Sequence, residues 1–211
     1  MKSHEKFNLD RTYKYFPGVA IIHFVKDNNL IKLLSSLKDN MIQSNLFDKY
    51  VFLPKSSYHM TLSDLLTYNQ SHLADEDNID NYVYERLGKD LFDINVWMEV
   101  ARISARKVHL IPKTKEDKQK LDEFRKVVSK KLNINFDDTY KFHISLSYQL
   151  DNRTEEEKNE IEIFLDQFNK NYLDSFDPIL INIGELVVFN DMAEFKNIKD
   201  GRSTLKHQPT R

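Results

Sequence analysis

Two rhythms of apolar residues alternate along the chain and divide it into elements. Val19 to Val25 is a dense apolar run, rich in β-branched residues and preceded by Phe16-Pro17-Gly18, and reads as a buried strand. Leu30, Leu33, Leu34, Leu37 and Met41 then recur at helical spacing, predicting a helix from an Asp27-Asn28 cap to about Leu46. A strand comes next, over about Ser57 to Leu65. Ile79, Tyr82, Val83 and Leu87 suggest a short helix ending near Gly88. Ile94–Ser104 and Arg106–Ile111 alternate as a hairpin. Thr114, with Asp117 three residues on, opens a helix whose buried stripe is Leu121, Phe124, Val128 and Leu132. Another strand runs from Lys141 to Leu150. Thr154 and Glu157 form a capping box before a helix carrying Ile161, Phe164, Leu165, Phe168 and Tyr172. Ile179–Ile183 and Glu185–Phe189 read as strands around Gly184, with a short last strand at Met192–Phe195. Residues 1–15 read as loose or extended, and Lys196–Arg211 as a polar tail.

Helices and hairpins interspersed in this order favour an α+β fold over a doubly wound sheet. At 211 residues the chain suits one domain with two lobes, spanning 1–211 with an ordered core over about 7–198.

Two of the predicted strands share a template. Tyr58-His59-Met60-Thr61-Leu62-Ser63 lines up with Phe142-His143-Ile144-Ser145-Leu146-Ser147: aromatic, His, apolar, hydroxyl, Leu, Ser. Because strand side chains alternate between faces, His59, Thr61 and Ser63 are expected on one face, and His143, Ser145 and Ser147 likewise. Two bare H-x-[S/T] matches among 7 His would mean little; the shared flanks make the doubled match specific.

These residues resemble the signature of the two-histidine (2H) phosphoesterase superfamily, which carries one H-x-[T/S] motif in each half of a domain. Tyr15-Phe16-Pro17-Gly18, Lys49-Tyr50-Val51-Phe52-Leu53-Pro54, Tyr148 and Phe189-Asn190-Asp191-Met192 are similar to a branch known only as a domain of unknown function. The likeness covers about residues 7–198. It implies a bilobal, duplicated fold in which antiparallel sheets form a central cleft, helices lie outside and the motif strands sit side by side on the cleft floor. One departure is Ser145, where Thr is commoner; the hydroxyl is kept and β-branching is lost.

The resemblance implies a metal-independent phosphodiesterase acting on a nucleotide or RNA 2′-linked or 2′,3′-cyclic phosphate. His59 and His143 are then the acid–base pair, and Thr61 and Ser145 hold the phosphate. Tyr148 is a weaker candidate for substrate contact, since alternation puts it opposite Ser145 and Ser147 unless the strand ends or bulges there. The alternative is an inactive fold of the same kind that captures nucleotide or RNA ends. A third reading is a structural domain with a partner-binding lobe. A serine nucleophile fits poorly, because no G-x-S-x-G elbow is present.

Charge and composition narrow the rest. A net charge of −2 gives no global pull towards nucleic acid or membrane, so nucleotide binding has to come from a local site. No cysteine is present, which removes disulfides, thiolate nucleophiles and Cys-based zinc sites. No cofactor or metal is expected, as neither His motif has further ligands at zinc-like spacing. Met1–Asp10 has no apolar core of a signal peptide, and no apolar run approaches a bilayer span, so a cytoplasmic monomer without membrane contact is expected. Arg102, Arg106, Lys107 and Lys113 form the most basic segment, a phosphate clamp if it borders the cleft. The acidic cluster Asp75, Glu76, Asp77 and Asp80 reads first as a solvated loop, then as a lid, last as a metal site. His23 and His109 read as structural strand residues.

Overall fold

A computed structural model describes residues 5–66, 83, 85–87 and 93–197 of the protein. Its centre is one eight-stranded antiparallel sheet, curled into a half-barrel, in which β1 (Gly18–Phe24), β3 (His59–Leu66), β4 (Asp93–Ile103), β5 (Lys107–Pro112), β6 (His143–Ser145), β8 (Ile179–Ile183), β9 (Glu185–Phe189) and β10 (Phe195–Asn197) run in the order β10-β9-β1-β3-β6-β5-β4-β8. A two-stranded ribbon of β2 (Tyr50–Phe52) and β7 (Ser147–Gln149) stands beside it. The α+β class is as expected; the antiparallel structure is one continuous sheet plus a ribbon.

Among the described residues, three long helices accompany the sheet, and their ends obey local chemistry. Helix α1 (Asn28–Gln43) starts where Asp27 Oδ1 accepts the Leu30 N–H at 2.7 Å. It stops before Leu46 because Asn45 takes a left-handed φ of 57°. Helix α2 (Lys115–Leu132) and helix α3 (Glu155–Tyr172) both open with the expected capping boxes, Thr114 with Asp117 and Thr154 with Glu157. Asp117 Oδ1 also accepts the Trp97 N–H at 2.9 Å, locking α2 to β4. The apolar stripes of all three helices enter one core with Ile21, Ile22, Met60, Leu62 and Val108. Leu34, Leu37 and Met41 are fully enclosed there, so Leu37→Ala should destabilise the fold by about 2–5 kcal/mol.

Three expectations are corrected. Residues 5–15 are not loose: Phe7 and Tyr13 form an antiparallel bridge, and Phe7 is buried. The last strand lies at Phe195–Asn197, after a turn in which Asp191 Oδ1 accepts the Ala193 N–H at 2.7 Å. Ser63 does not share the face of His59, and Ser147, although it borders the cleft with His143, has its Oγ turned to the Ala105 carbonyl. In β3 the pairing with β1 skips Leu62, since Ile21 faces Ser63 while Ile22 faces Thr61. In the second motif the strand breaks at Leu146, where the N–H groups of Leu146 and Ser147 both donate to the Arg106 carbonyl, at 2.8 and 3.2 Å. A bulge inserts one residue and re-aims the side chains after it. Ser63 is only 9% exposed and Ser147 2%. The short helix near 79–88 and the acidic 75–80 cluster fall mainly outside the described residues, of which 83 and 85–87 are helical.

Candidate active site

The sheet's curl places the two motif strands side by side. β3 pairs with β6 through Met60 and Ile144. Continuing that antiparallel register by one residue each way puts His59 opposite Ser145 and His143 opposite Thr61. The two histidines are then diagonal neighbours, about 7–8 Å apart at the backbone. All four residues line one cleft of about 450 Å³.

Both imidazoles are held in the same manner. His59 Nδ1 lies 2.6 Å from the Ser57 carbonyl oxygen, and His143 Nδ1 2.8 Å from that of Lys141. A carbonyl only accepts, so each Nδ1 carries the proton and donates it, which leaves Nε2 as the proton-accepting nitrogen of each neutral ring. The Phe195 ring packs on His59 at 4.2 Å between centroids, and Tyr140 stacks near His143 at 6.3 Å and 30°.

The two rings differ electrostatically. Desolvation lowers the pKa of His59 to about 4, with the His143 and Lys6 charges acting in the same direction. His143 is also lowered by desolvation and by Lys107, but Asp64 opposes the shift. Asp64 reaches the cleft because of the bulge at Leu62, which turns it inward in place of Ser63. Asp64 remains solvent-exposed, yet the crowded protein around its carboxyl raises its pKa. The phenol of Tyr140 is pushed up by desolvation and by Asp64, with the neighbouring Thr61 hydroxyl opposing the shift. Behind it the Arg125 guanidinium stacks 4.7 Å from the Tyr140 ring and donates to the Asp137 carbonyl at 2.8 Å.

Of the other sequence candidates, Tyr148 lines the cleft, because the break at Leu146 turns it inward. Ser147 Oγ is consumed by the Ala105 carbonyl at 2.6 Å. That bond tethers the β4–β5 turn, which presents Arg106 and Lys107 to the cleft. The basic segment therefore divides. Arg106 and Lys107 border the site, whereas Arg102 reaches Glu162 and Asp166 on α3, at 3.5 and 3.9 Å. An adjoining groove of about 830 Å³ shares Arg106, Lys107 and Tyr140 with the cleft. His23 is buried in β1, and His109 sits in β5 directly across from His143.

Lys6, Asp64, Tyr140 and Phe195 are the lining residues that the sequence reading missed. The turn chemistry of Asp191 hints at Phe195; nothing in the alternation of β3 marks Asp64. Among the described residues, no group of three or more His, Cys, Asp or Glu is placed to hold a metal ion. No helix among them is long and apolar enough to cross a membrane.

Comparison with known proteins gives a family. Residues 6–109 match the model of the 2H-phosphodiest family, described as a domain of unknown function (DUF1868). The fold is similar to the crystal structure of the conserved protein of unknown function ATU0111 from Agrobacterium tumefaciens str. C58. The TM-score is 0.81 at 21% identity, over 92% of this chain and 89% of that one. A weaker likeness, with a TM-score of 0.37 at 14% identity over 82% and 87% of the two chains, is to TT0787 of Thermus thermophilus. No curated protein matches the chain significantly. The doubled histidine strands, with the family match over residues 6–109 that hold the first of them, lead to one assignment: the chain belongs to the two-histidine phosphoesterase superfamily.

Proposed function

We propose that the protein is a metal-independent phosphodiesterase that acts on a nucleotide or RNA 2′-linked or 2′,3′-cyclic phosphate. The observation that carries this reading is the matched anchoring of His59 and His143. Each is fixed through Nδ1 to a carbonyl two residues back, on adjacent strands of one cleft.

His59 is the base and His143 the acid. His59 has the lower proton affinity and is neutral over most of the pH range. His143 has Asp64 nearby to favour its charged form. In hydrolysis of a cyclic diester, His59 Nε2 takes a proton from water as the water oxygen bonds to phosphorus. The bond from phosphorus to one ribose oxygen breaks, and that oxygen receives the proton from His143 Nε2. Thr61 and Ser145 donate to the non-bridging oxygens, and Arg106 and Lys107 supply positive charge at the rim. Two imidazoles deliver both proton transfers, so the scheme needs no metal.

The purified protein, screened against 2′,3′-cyclic nucleotides, 2′,5′-linked dinucleotides and cyclic dinucleotides with the position of the product phosphate read out, tests this. Turnover of one class that disappears in His59→Ala and His143→Ala supports it. Tight binding with no turnover of any class would move the assignment to a capture module.

A further inference from the structure

The start of the described chain brings a cation into the cleft wall. The Phe7–Tyr13 bridge is closed by the Lys14 N–H donating to the Lys6 carbonyl at 2.9 Å, and by Asn8 N–H to the Thr12 carbonyl at 2.9 Å. The Phe7 ring wedges 5.1 Å from Tyr13 and 5.0 Å from Tyr148. This small hairpin fixes Lys6, which is only 8% exposed and lines the same cleft as His59, Thr61 and His143. Its Nζ donates to the Tyr148 hydroxyl at 3.1 Å and to Met192 Sδ at 3.2 Å. It also lies 4.8 Å above the Phe16 ring and 4.9 Å above that of Tyr148.

Ring faces, a phenol and a thioether favour a cation, but none of them neutralises it. Among the described residues, no carboxylate is within ion-pair distance of Lys6. A buried ammonium is costly to keep unless an opposite charge meets it. An ammonium has three N–H donors and the two contacts engage two of them, so one is left for the cleft.

The geometry points to Lys6 as an anion-binding residue of the cleft, its ammonium taking a non-bridging oxygen of the phosphoryl group held between His59 and His143. This rests on the reading of the cleft as a phosphate site, and not on turnover. The bound anion meets the ammonium directly, whereas Asp64, the cleft carboxylate that feels Lys6, stands beyond ion-pair distance. The anion also offsets the effect of Lys6 on the two imidazoles, both of which the ammonium makes harder to protonate. Tyr148 becomes a positioning residue, since it accepts from Lys6 and points its own O–H at Met192 Sδ, 3.5 Å away.

Inorganic phosphate is the probe. The ring-proton resonances of His59 and His143, assigned through His→Gln variants, are titrated by NMR with and without phosphate in the wild type, Lys6→Met and Lys6→Arg. The wild type is expected to bind phosphate with shifts at both rings. Lys6→Met should weaken phosphate binding roughly 10- to 100-fold, the size of one charge-assisted hydrogen bond. It should also raise the titration midpoints of both histidines without phosphate. Lys6→Arg should retain most of the affinity. Should Lys6→Met not fold, Lys6→Gln, which keeps a donor without the charge, takes its place with the same expected loss. A folded neutral variant that binds phosphate as tightly as the wild type overturns the inference, as does a wild type showing no response to millimolar phosphate. A protein that binds phosphate through Lys6 yet cleaves no diester leaves the inference standing and removes the hydrolase reading.

Discussion

Met60 and Ile144 face each other across the middle of the sheet. They occupy the same place in the two copies of the motif, directly after the histidine. A residue that pairs with its own counterpart lies on a two-fold axis, as in the self-complementary contact of a symmetric dimer. Here the axis runs between β3 and β6 within one chain, with β1 flanking one side and β5 the other. Each histidine consequently faces the hydroxyl residue of the other half, and neither half alone contains a complete site.

That shared construction makes the histidines interdependent. His59→Ala and His143→Ala should each lower kcat/KM by about 10² to 10⁴-fold in a steady-state assay on the best cyclic or 2′,5′-linked substrate. The double variant should be little worse than either single one, because the pair acts as a unit. Full activity in the double variant would leave the mechanism without a proton donor or acceptor.

The hydroxyls should matter less. Thr61→Val and Ser145→Ala each remove one donor from a site with others, and a loss of roughly 10 to 10³-fold is expected. His23→Ala, buried in β1, is the control: its effect should appear in the melting temperature and leave the activity of the folded protein unchanged.

Activity should peak at mildly acidic pH. Going down, kcat/KM falls as the base His59 gains a proton, near pH 4. Going up, it falls as the acid His143 loses its proton, and because the pKa of His143 is lowered, that limb lies below 6.5. The two limbs belong to the pair as a coupled system. Asp64→Asn removes the charge that favours protonated His143, so the alkaline limb should move to lower pH. An alkaline limb that stayed in place or moved up would show that it does not belong to His143.

Activity should survive a chelator. Dialysis against EDTA and then assay is expected to leave the rate within about two-fold, since the two proton transfers use imidazoles alone. Loss in EDTA with recovery on adding one divalent ion would replace the scheme with a metal-assisted one.

Much of the fold and the site is readable in the sequence, and the unreadable parts have physical causes. The three helices announce themselves through Asp27, Thr114 and Thr154, because a cap is a contact over three residues and leaves a local trace. The motif histidines are legible because the template is doubled. Alternation fails at Ser63 and Tyr148, since nothing in the residue pattern marks a bulge at Leu62 or a break at Leu146. The β2–β7 ribbon joins Val51 to Tyr148, two three-residue strands far apart in the chain and too short to show a period. Lys6 escapes notice for the same reason: its partners Tyr148 and Met192 lie at the other end of the sequence.

The irregularities after Leu62 and Leu146 fall at matching places in the two copies, and they admit different residues. One lets Asp64 into the cleft; the other lets in Tyr148, which carries Lys6. A two-fold frame by itself has no front or back, and a diester could lie across it either way round. With a carboxylate on one side of the axis and an ammonium on the other, the cleft acquires a heading. A phosphodiester has two chemically distinct bridging oxygens. On the proposed mechanism, that heading would decide which of them faces His143 and departs, and so on which ribose oxygen the phosphate stays.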